Sequence, residues 1–171
     1  MGDHRQAVSF EFMMSFICRL VCPLSLLIAV VGCSGLKAYP NTADKNLQIN
    51  TKLSGSFLTE VEAVLHIHRL QNGCASDYLG GVDLKNGSAQ IGIAPGQATY
   101  LVFAFYTSTR LGGSSTIIPY STVVTPRAGS RYVADVSYVD SIYNVRVQEI
   151  GPRGTSGREL ERKTIDCPKT D

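Results

Sequence analysis

The chain has 171 residues, 44% of them hydrophobic and 18% charged, which suits one packed domain and excludes both a disordered chain and two domains of ordinary size. A formal net charge of only +2 calls for no nucleic acid or other polyanion as partner. Eight tyrosines against six phenylalanines, no tryptophan and 16 glycines favour strands and turns over helices.

The first segment with a legible purpose is Leu20–Val31 (LVCPLSLLIAVV), an uncharged run preceded by Arg19 and followed by Gly32-Cys33-Ser34-Gly35. A membrane-spanning helix needs about 20 apolar residues, so this shorter run reads as a secretory signal peptide. Val30-Val31-Gly32-Cys33 resembles a bacterial lipobox, with Val30 standing where Leu is favoured. The resemblance implies diacylation of the Cys33 thiol, palmitate being the typical chain, and cleavage before Cys33. Residues 1–32 are then a lipoprotein signal peptide, and a start at Met13 or Met14 would give a leader of more usual length. Two or three acyl chains hold a protein on a bilayer where a single chain does so only marginally. Ser34, not Asp, follows the lipidated position, which in the lipoprotein family favours the outer membrane, with the domain facing the periplasm or the cell surface.

Cys18 and Cys22 leave with the leader and Cys33 is consumed by lipid, so Cys74 and Cys167 remain. An even pair in an oxidising compartment is expected to form a disulfide. Closing a loop of about 90 residues would stabilise the fold by about 4–5 kcal/mol in the chain-entropy model. Two unpaired thiols and half of a metal site are the alternatives.

Residues 33–46 read as a lipidated, polar tether, and residues 47–171 as the folded domain with a C-terminal tail stapled by the disulfide. Leu47, Ile49, Thr51 and Leu53 alternate in a first strand. Val61, Ala63, Leu65 and Ile67 form one face of a second, with Glu62, His66 and His68 on the other. A third run, Tyr78–Leu84, contains Gly80-Gly81 and is expected to bulge or bend. Asn86-Gly87 signals a turn before Ala89, Ile91 and Ile93. Tyr100–Thr107 is apolar on both faces, as a central strand should be, and a Gly-rich loop follows at 108–116. Pro119 within Ile117–Thr125 indicates an edge strand or a kink. Arg131–Val139 and Ile142–Ile150 form a hairpin around Asp140-Ser141, with Tyr143, Val145 and Val147 facing in. Residues 151–164 read as a loop with one amphipathic turn.

A Pro/Gly turn leads into a strand-opening Tyr twice, at 94–100 and at 126–132. Such strands resemble those of transthyretin-like and carboxypeptidase-regulatory-like sandwiches. The expected fold is therefore all-β, an antiparallel β-sandwich of about 7–8 strands, immunoglobulin-like or transthyretin-like.

Motifs for chemistry are sparse. His66 and His68 share a strand face and could hold zinc or copper, but a third ligand is needed and only Glu62 lies near in sequence. Ser34-Gly-Leu-Lys37 matches a penicillin-recognising pattern inside the tether, where no pocket can form. Arg153, Arg158, Arg162 and Lys163 are interrupted by Glu159 and Glu161, as in a solvated tail. Asn86-Gly-Ser88 is a glycosylation sequon that a bacterial lipoprotein does not present to the relevant machinery. No enzyme activity, cofactor or nucleic-acid partner is expected. The expected partners are the lipid bilayer, through acylated Cys33, and another envelope protein. The alternatives are an outer-membrane lipoprotein of a type VI-like secretion system, and a periplasmic metal-binding protein or hydrolase using His66 and His68.

Overall fold

A computed structural model describes residues 36–109, 115–151, 154 and 157–165. Alternating apolar residues can bury one face of a strand only against a second such face, and the chain does this with two sheets. The strands among the described residues are β1 (Leu47–Leu53), β2 (Thr59–Gln71), β3 (Cys74–Leu84), β4 (Gly87–Ile91), β5 (Thr99–Thr109), β6 (Ser115–Val124), β7 (Arg131–Val139), β8 (Ile142–Ile150) and the short β9 (Arg158–Glu159). One sheet has the order β4-β1-β7-β8-β9 and the other β3-β2-β5-β6. The fold is an all-β sandwich. Its pairs are antiparallel except β1–β7, which is parallel and runs from Leu47↔Tyr132 to Leu53↔Tyr138.

An immunoglobulin arrangement would place the first, second, fourth and fifth strands in one sheet. Here β1 pairs with β4 and β7, while β2 pairs with β3 and β5. That is not the immunoglobulin order.

The core lies between the sheets. Leu47 and Ile49 of β1, Leu65 and Ile67 of β2, Leu101, Phe103 and Phe105 of β5, Tyr132, Ala134 and Val136 of β7 and Val147 of β8 are all buried. The expected period-2 faces of β1, β2, β7 and β8 are those observed. Tyr143 differs. It is exposed beside the hairpin turn, with its ring 6.0 Å from that of Phe105 in the facing sheet. The hairpin turn itself is as expected: Asp140 and Ser141 have φ of 52° and 63° between the paired Val139 and Ile142.

Several elements depart from the pattern read off the sequence. Strand β3 begins at Cys74, four residues earlier than expected, and shifts register twice against β2, once beside Gly80. The turn at Asn86-Gly87 does not close a hairpin, because β3 and β4 belong to different sheets. Instead the Asn86 side chain accepts from the Leu53 amide and donates to the Leu53 carbonyl, extending the β1–β4 ladder by one rung. Of the tail expected to hold an amphipathic turn, residues 152, 153, 155 and 156 lie outside the described residues, and Arg158–Glu159 form a short strand. The β5 and β6 strands run to Thr109 and from Ser115, into the span expected as loop.

Both ends of the described chain act as straps. Of the span expected as a tether, residues 36–46 lie against the sandwich. Tyr39 donates its amide to the Gly81 carbonyl, and Gly81 donates to the Lys37 carbonyl. The Tyr39 hydroxyl then donates to the Gly92 carbonyl at 2.8 Å, and Asn46 brackets Ile93 with its side-chain oxygen and nitrogen. Glycine is required where the strap presses closest. A Cβ at Gly92 would lie 2.0 Å from the Ala43 carbonyl oxygen, and one at Gly80 would lie 2.7 Å from the Tyr39 Cα.

At the other flank, β9 pairs with β8, and Leu160 donates its amide to the Val147 carbonyl. The chain then crosses to β6 in the second sheet. Lys163 donates its amide to the Ser121 carbonyl, and the Ser121 and Thr122 hydroxyls donate back to the carbonyls of Lys163 and Glu161. Pro119 sits on this edge as expected, its carbonyl accepting from Arg162 at 3.1 Å.

Val145 is 7% exposed and faces the core. Val145→Asp should destabilise the domain by roughly 3 kcal/mol or more, measured by denaturant unfolding, and a variant that melts like the parent would contradict this packing. Gly92→Ala should release the first strap, seen as lost amide protection at residues 39–46 by hydrogen exchange before the core strands open.

Candidate binding surface

The outer faces of the two sheets differ in chemistry. On β1, β7, β8 and β9 the outward residues are polar and tied together: Gln48 donates to Asn50, Asn50 donates to Asp135, and Arg146 pairs with Glu159, each at 2.9 Å. That is an ordinary solvated face.

The outer face of β3-β2-β5-β6 is aromatic. Period-2 alternation on β2 puts His66 and His68 on this face, as read from the sequence, and the register supplies the rest. His68 stands opposite Tyr78 of β3 and Tyr100 of β5, and His66 opposite Gly81 and Val102. Tyr106 faces outward next along β5, opposite Glu62 on one side and Ile117 of β6 on the other.

His66 is held at both ring nitrogens. Nδ1 lies 3.2 Å from the Tyr78 hydroxyl and Nε2 lies 3.1 Å from the Tyr106 hydroxyl. A neutral imidazole has one N–H, so it donates to one tyrosine and accepts from the other. Tyr78 reaches this position because Gly81 has no side chain: a Cβ there would lie 2.9 Å from the Tyr78 hydroxyl and 2.6 Å from Leu36 Cδ2. His68 packs its ring at 5.1 Å from Tyr78 and 6.2 Å from Tyr100, both tilted. His66, His68, Tyr78, Tyr100 and Tyr106 are all half-buried, and Ile117 is 59% exposed. Burial pushes both histidines below the ordinary imidazole value, and at His68 the neighbouring His66 adds to the effect.

This geometry bears on the metal reading. His66 and His68 share a face, but both nitrogens of His66 are already engaged by tyrosine hydroxyls, and Glu62 stands beside Tyr106. Among the described residues, no group of three or more His, Cys, Asp or Glu side chains is placed to hold a metal. The arrangement is suited to packing and recognition by amphipathic rings.

The duplicated turn motif splits between two roles. Tyr132 is buried in the core, its hydroxyl donating to Glu149 at 3.1 Å and accepting from the Arg127 amide. Tyr100 opens β5 one residue out of phase: Thr99 takes the buried position and Tyr100 joins the outer face. The two turns meet, with the Gly96 amide donating to the Pro126 carbonyl.

A second exposed apolar cluster lies at one end of the sandwich. Phe57 (87% exposed) and Leu58 project from the β1–β2 loop, and Ile142 and Tyr143 from the β7–β8 hairpin. The loop and hairpin are neighbours, since the Ser54 amide donates to the Tyr138 carbonyl.

Cys33 and Cys167 lie outside the described residues. Cys74 opens β3, at one edge of its sheet, whereas Lys163 is bound to β6 at the opposite edge.

Alternation within β2 and β5 made the two histidines and the two-sided character of β5 legible. The tyrosine cluster was not, because it depends on cross-strand register and on the empty position at Gly81. The chain matches no family model, no curated protein and no solved structure.

Because the folded-state pKa values of His66 and His68 are depressed, the unfolded chain binds protons more readily near pH 6.5 and below. Stability from this pair should be fully present above about pH 6.5 and decline as the pH falls through the folded values. Melting temperature against pH is the measurement, and His66→Gln with His68→Gln should flatten the slope in that window.

Proposed function

We propose that this is a lipid-anchored envelope protein whose β-sandwich works by binding rather than catalysis, attached to the outer membrane through acylated Cys33. The observation that carries the reading is the uncharged run Leu20–Val31 ending at Gly32-Cys33. The binding role is supported by surface chemistry: among the described residues, prominent side chains outside the core include half-exposed rings and exposed aliphatic groups. Within this reading, Phe57, Leu58, Ile142 and Tyr143 form the contact for another envelope protein. Two adjacent loops offering four large apolar groups have the character of the desolvated centre of a protein interface.

The test of the anchor is direct. Cys33→Ala should abolish metabolic palmitate labelling and leave the precursor uncleaved, with the leader still attached by mass. A fully processed, membrane-bound Cys33→Ala protein would overturn the reading.

A further inference from the structure

The geometry points to a lipid bilayer surface as the occupant of the aromatic outer face of β3-β2-β5-β6. The inference rests on the anchored reading above and goes beyond it, since an anchor alone does not say which side of a domain meets the membrane.

Position comes first. The strap that begins at Leu36 is hydrogen-bonded at Lys37 and Tyr39 to Gly81, on the β3 edge of this face, and the Leu36 side chain lies over Gly81. Only Ser34 and Gly35 separate Cys33 from Leu36 in sequence. Three residue steps of extended chain reach about 10 Å. A bilayer holding the acyl chains of Cys33 is therefore within about 10 Å of the Leu36 backbone, and the domain has no long tether to stand away on. The apolar loop end is farther. Gly81 pairs with His66, and seven further residues of β2 lead from His66 to Thr59, about 23 Å at 3.3 Å per residue. The polar outer face of the other sheet lies behind the whole sandwich.

Chemistry then favours the same face. Tyr78, Tyr100 and Tyr106 combine an apolar ring with a hydroxyl, the type of side chain that settles at the boundary between headgroups and acyl chains. Leu36 and Ile117, at opposite edges of the face, are 39% and 59% exposed and supply apolar contact on each side of the rings. The two histidines are held toward the neutral form by their surroundings, so they add little charge to be desolvated. The acidic residues of this face, Glu60, Glu62 and Asp83, stand on the loop-end side of His66, where they favour neither deep insertion nor attraction to anionic lipid. The contact should accordingly form on zwitterionic lipid and change little with salt.

The experiment uses the mature, acylated protein on phosphatidylcholine vesicles, with the unacylated chain from Ser34 onward, lacking the leader and free in solution, as reference. Hydroxyl-radical oxidation read by mass spectrometry reports each ring separately. Oxidation of Tyr78, Tyr100 and Tyr106 should fall at least threefold on vesicles, while Phe57 and Tyr143 keep their solution values. Ile117→Glu, an exposed position that should leave folding intact, should restore oxidation of Tyr106 and Tyr100 without detaching the protein. Ile142→Glu should not. Vesicle-bound protein whose three tyrosines oxidise as in solution, or whose protection falls on Phe57 and Tyr143 instead, overturns the face assignment while leaving the anchor standing. Absence of acyl mass on the Cys33 peptide overturns the anchored reading, and the face assignment with it.

Discussion

Two β-sheets laid face to face hide their inner faces but leave open flanks, where backbone groups and core side chains meet water. This fold depends on closing those flanks with its own chain. On the β3–β4 flank, residues 36–46 bond first to Gly81 and then to Gly92 and Ile93, linking one sheet to the other. On the β8–β6 flank, residues 158–163 pair with β8, pass Leu160 toward the core and finish on Ser121 and Thr122. Unpaired strand edges are sites for unwanted pairing with other chains, and covering them is one of the general remedies. Pro119 belongs to the same solution. Ser121, two residues on, turns its carbonyl outward to Lys163, so Pro119 shares that orientation and its missing N–H falls on the side away from β5, where no ladder bond is lost.

Closing the flanks with straps gives the outer faces separate fates. The face of β1, β7, β8 and β9 is laced with side-chain hydrogen bonds and ion pairs that water tolerates. Its exposed Arg146–Glu159 pair contributes little to stability by itself, since both partners remain largely hydrated. The opposite face carries tyrosine and histidine rings packed at tilted angles of 47° to 54°. An antiparallel sheet with one solvated side needs polar groups there, and this sheet supplies the Tyr78 and Tyr106 hydroxyls, both bonded to the His66 imidazole.

What the sequence made legible follows from locality. The faces of β1, β2, β7 and β8 are period-2 patterns within one strand, and the turn at Asp140-Ser141 is a two-residue event, so each could be read from a few adjacent letters. The central placement of β5 followed from apolar residues on both of its faces, and the edge placement of β6 from Pro119. Features that require knowing which strand lies beside which were not legible. Asn86-Gly87 carries a hairpin signal, yet the chain uses it to pass between sheets, with the Asn86 amide acting as a surrogate strand residue for Leu53. The parallel β1–β7 pair joins segments some 80 residues apart and has no local signature. The polar composition of 36–46 suggested free chain, but its hydrogen-bonding capacity is what lets Tyr39, Asn41 and Asn46 fasten it. The Gly80-Gly81 pair was expected to mark a bulge, and it does, but its larger consequence is the close approach of another backbone.

Gly81 shows how the strap and the aromatic face are one piece of construction. Its backbone amide and carbonyl hold Lys37 and Tyr39, and its missing side chain leaves the space shared by Leu36 and the Tyr78 hydroxyl. Through that hydroxyl the same glycine sets the position of His66, and through His66 that of Tyr106 two strands away. A methyl group at this position would have to displace Leu36, Tyr78 or both. Any force drawing the N-terminal strap away from the sheet would therefore act first on Leu36, Lys37 and Tyr39, and would remove the support beneath the first ring of the face. The geometry of the outer surface is thus tied mechanically to the segment that leads back toward Cys33, whereas the loop end bearing Phe57 and Ile142 is fixed by β1, β2 and the β7–β8 hairpin and is independent of that segment.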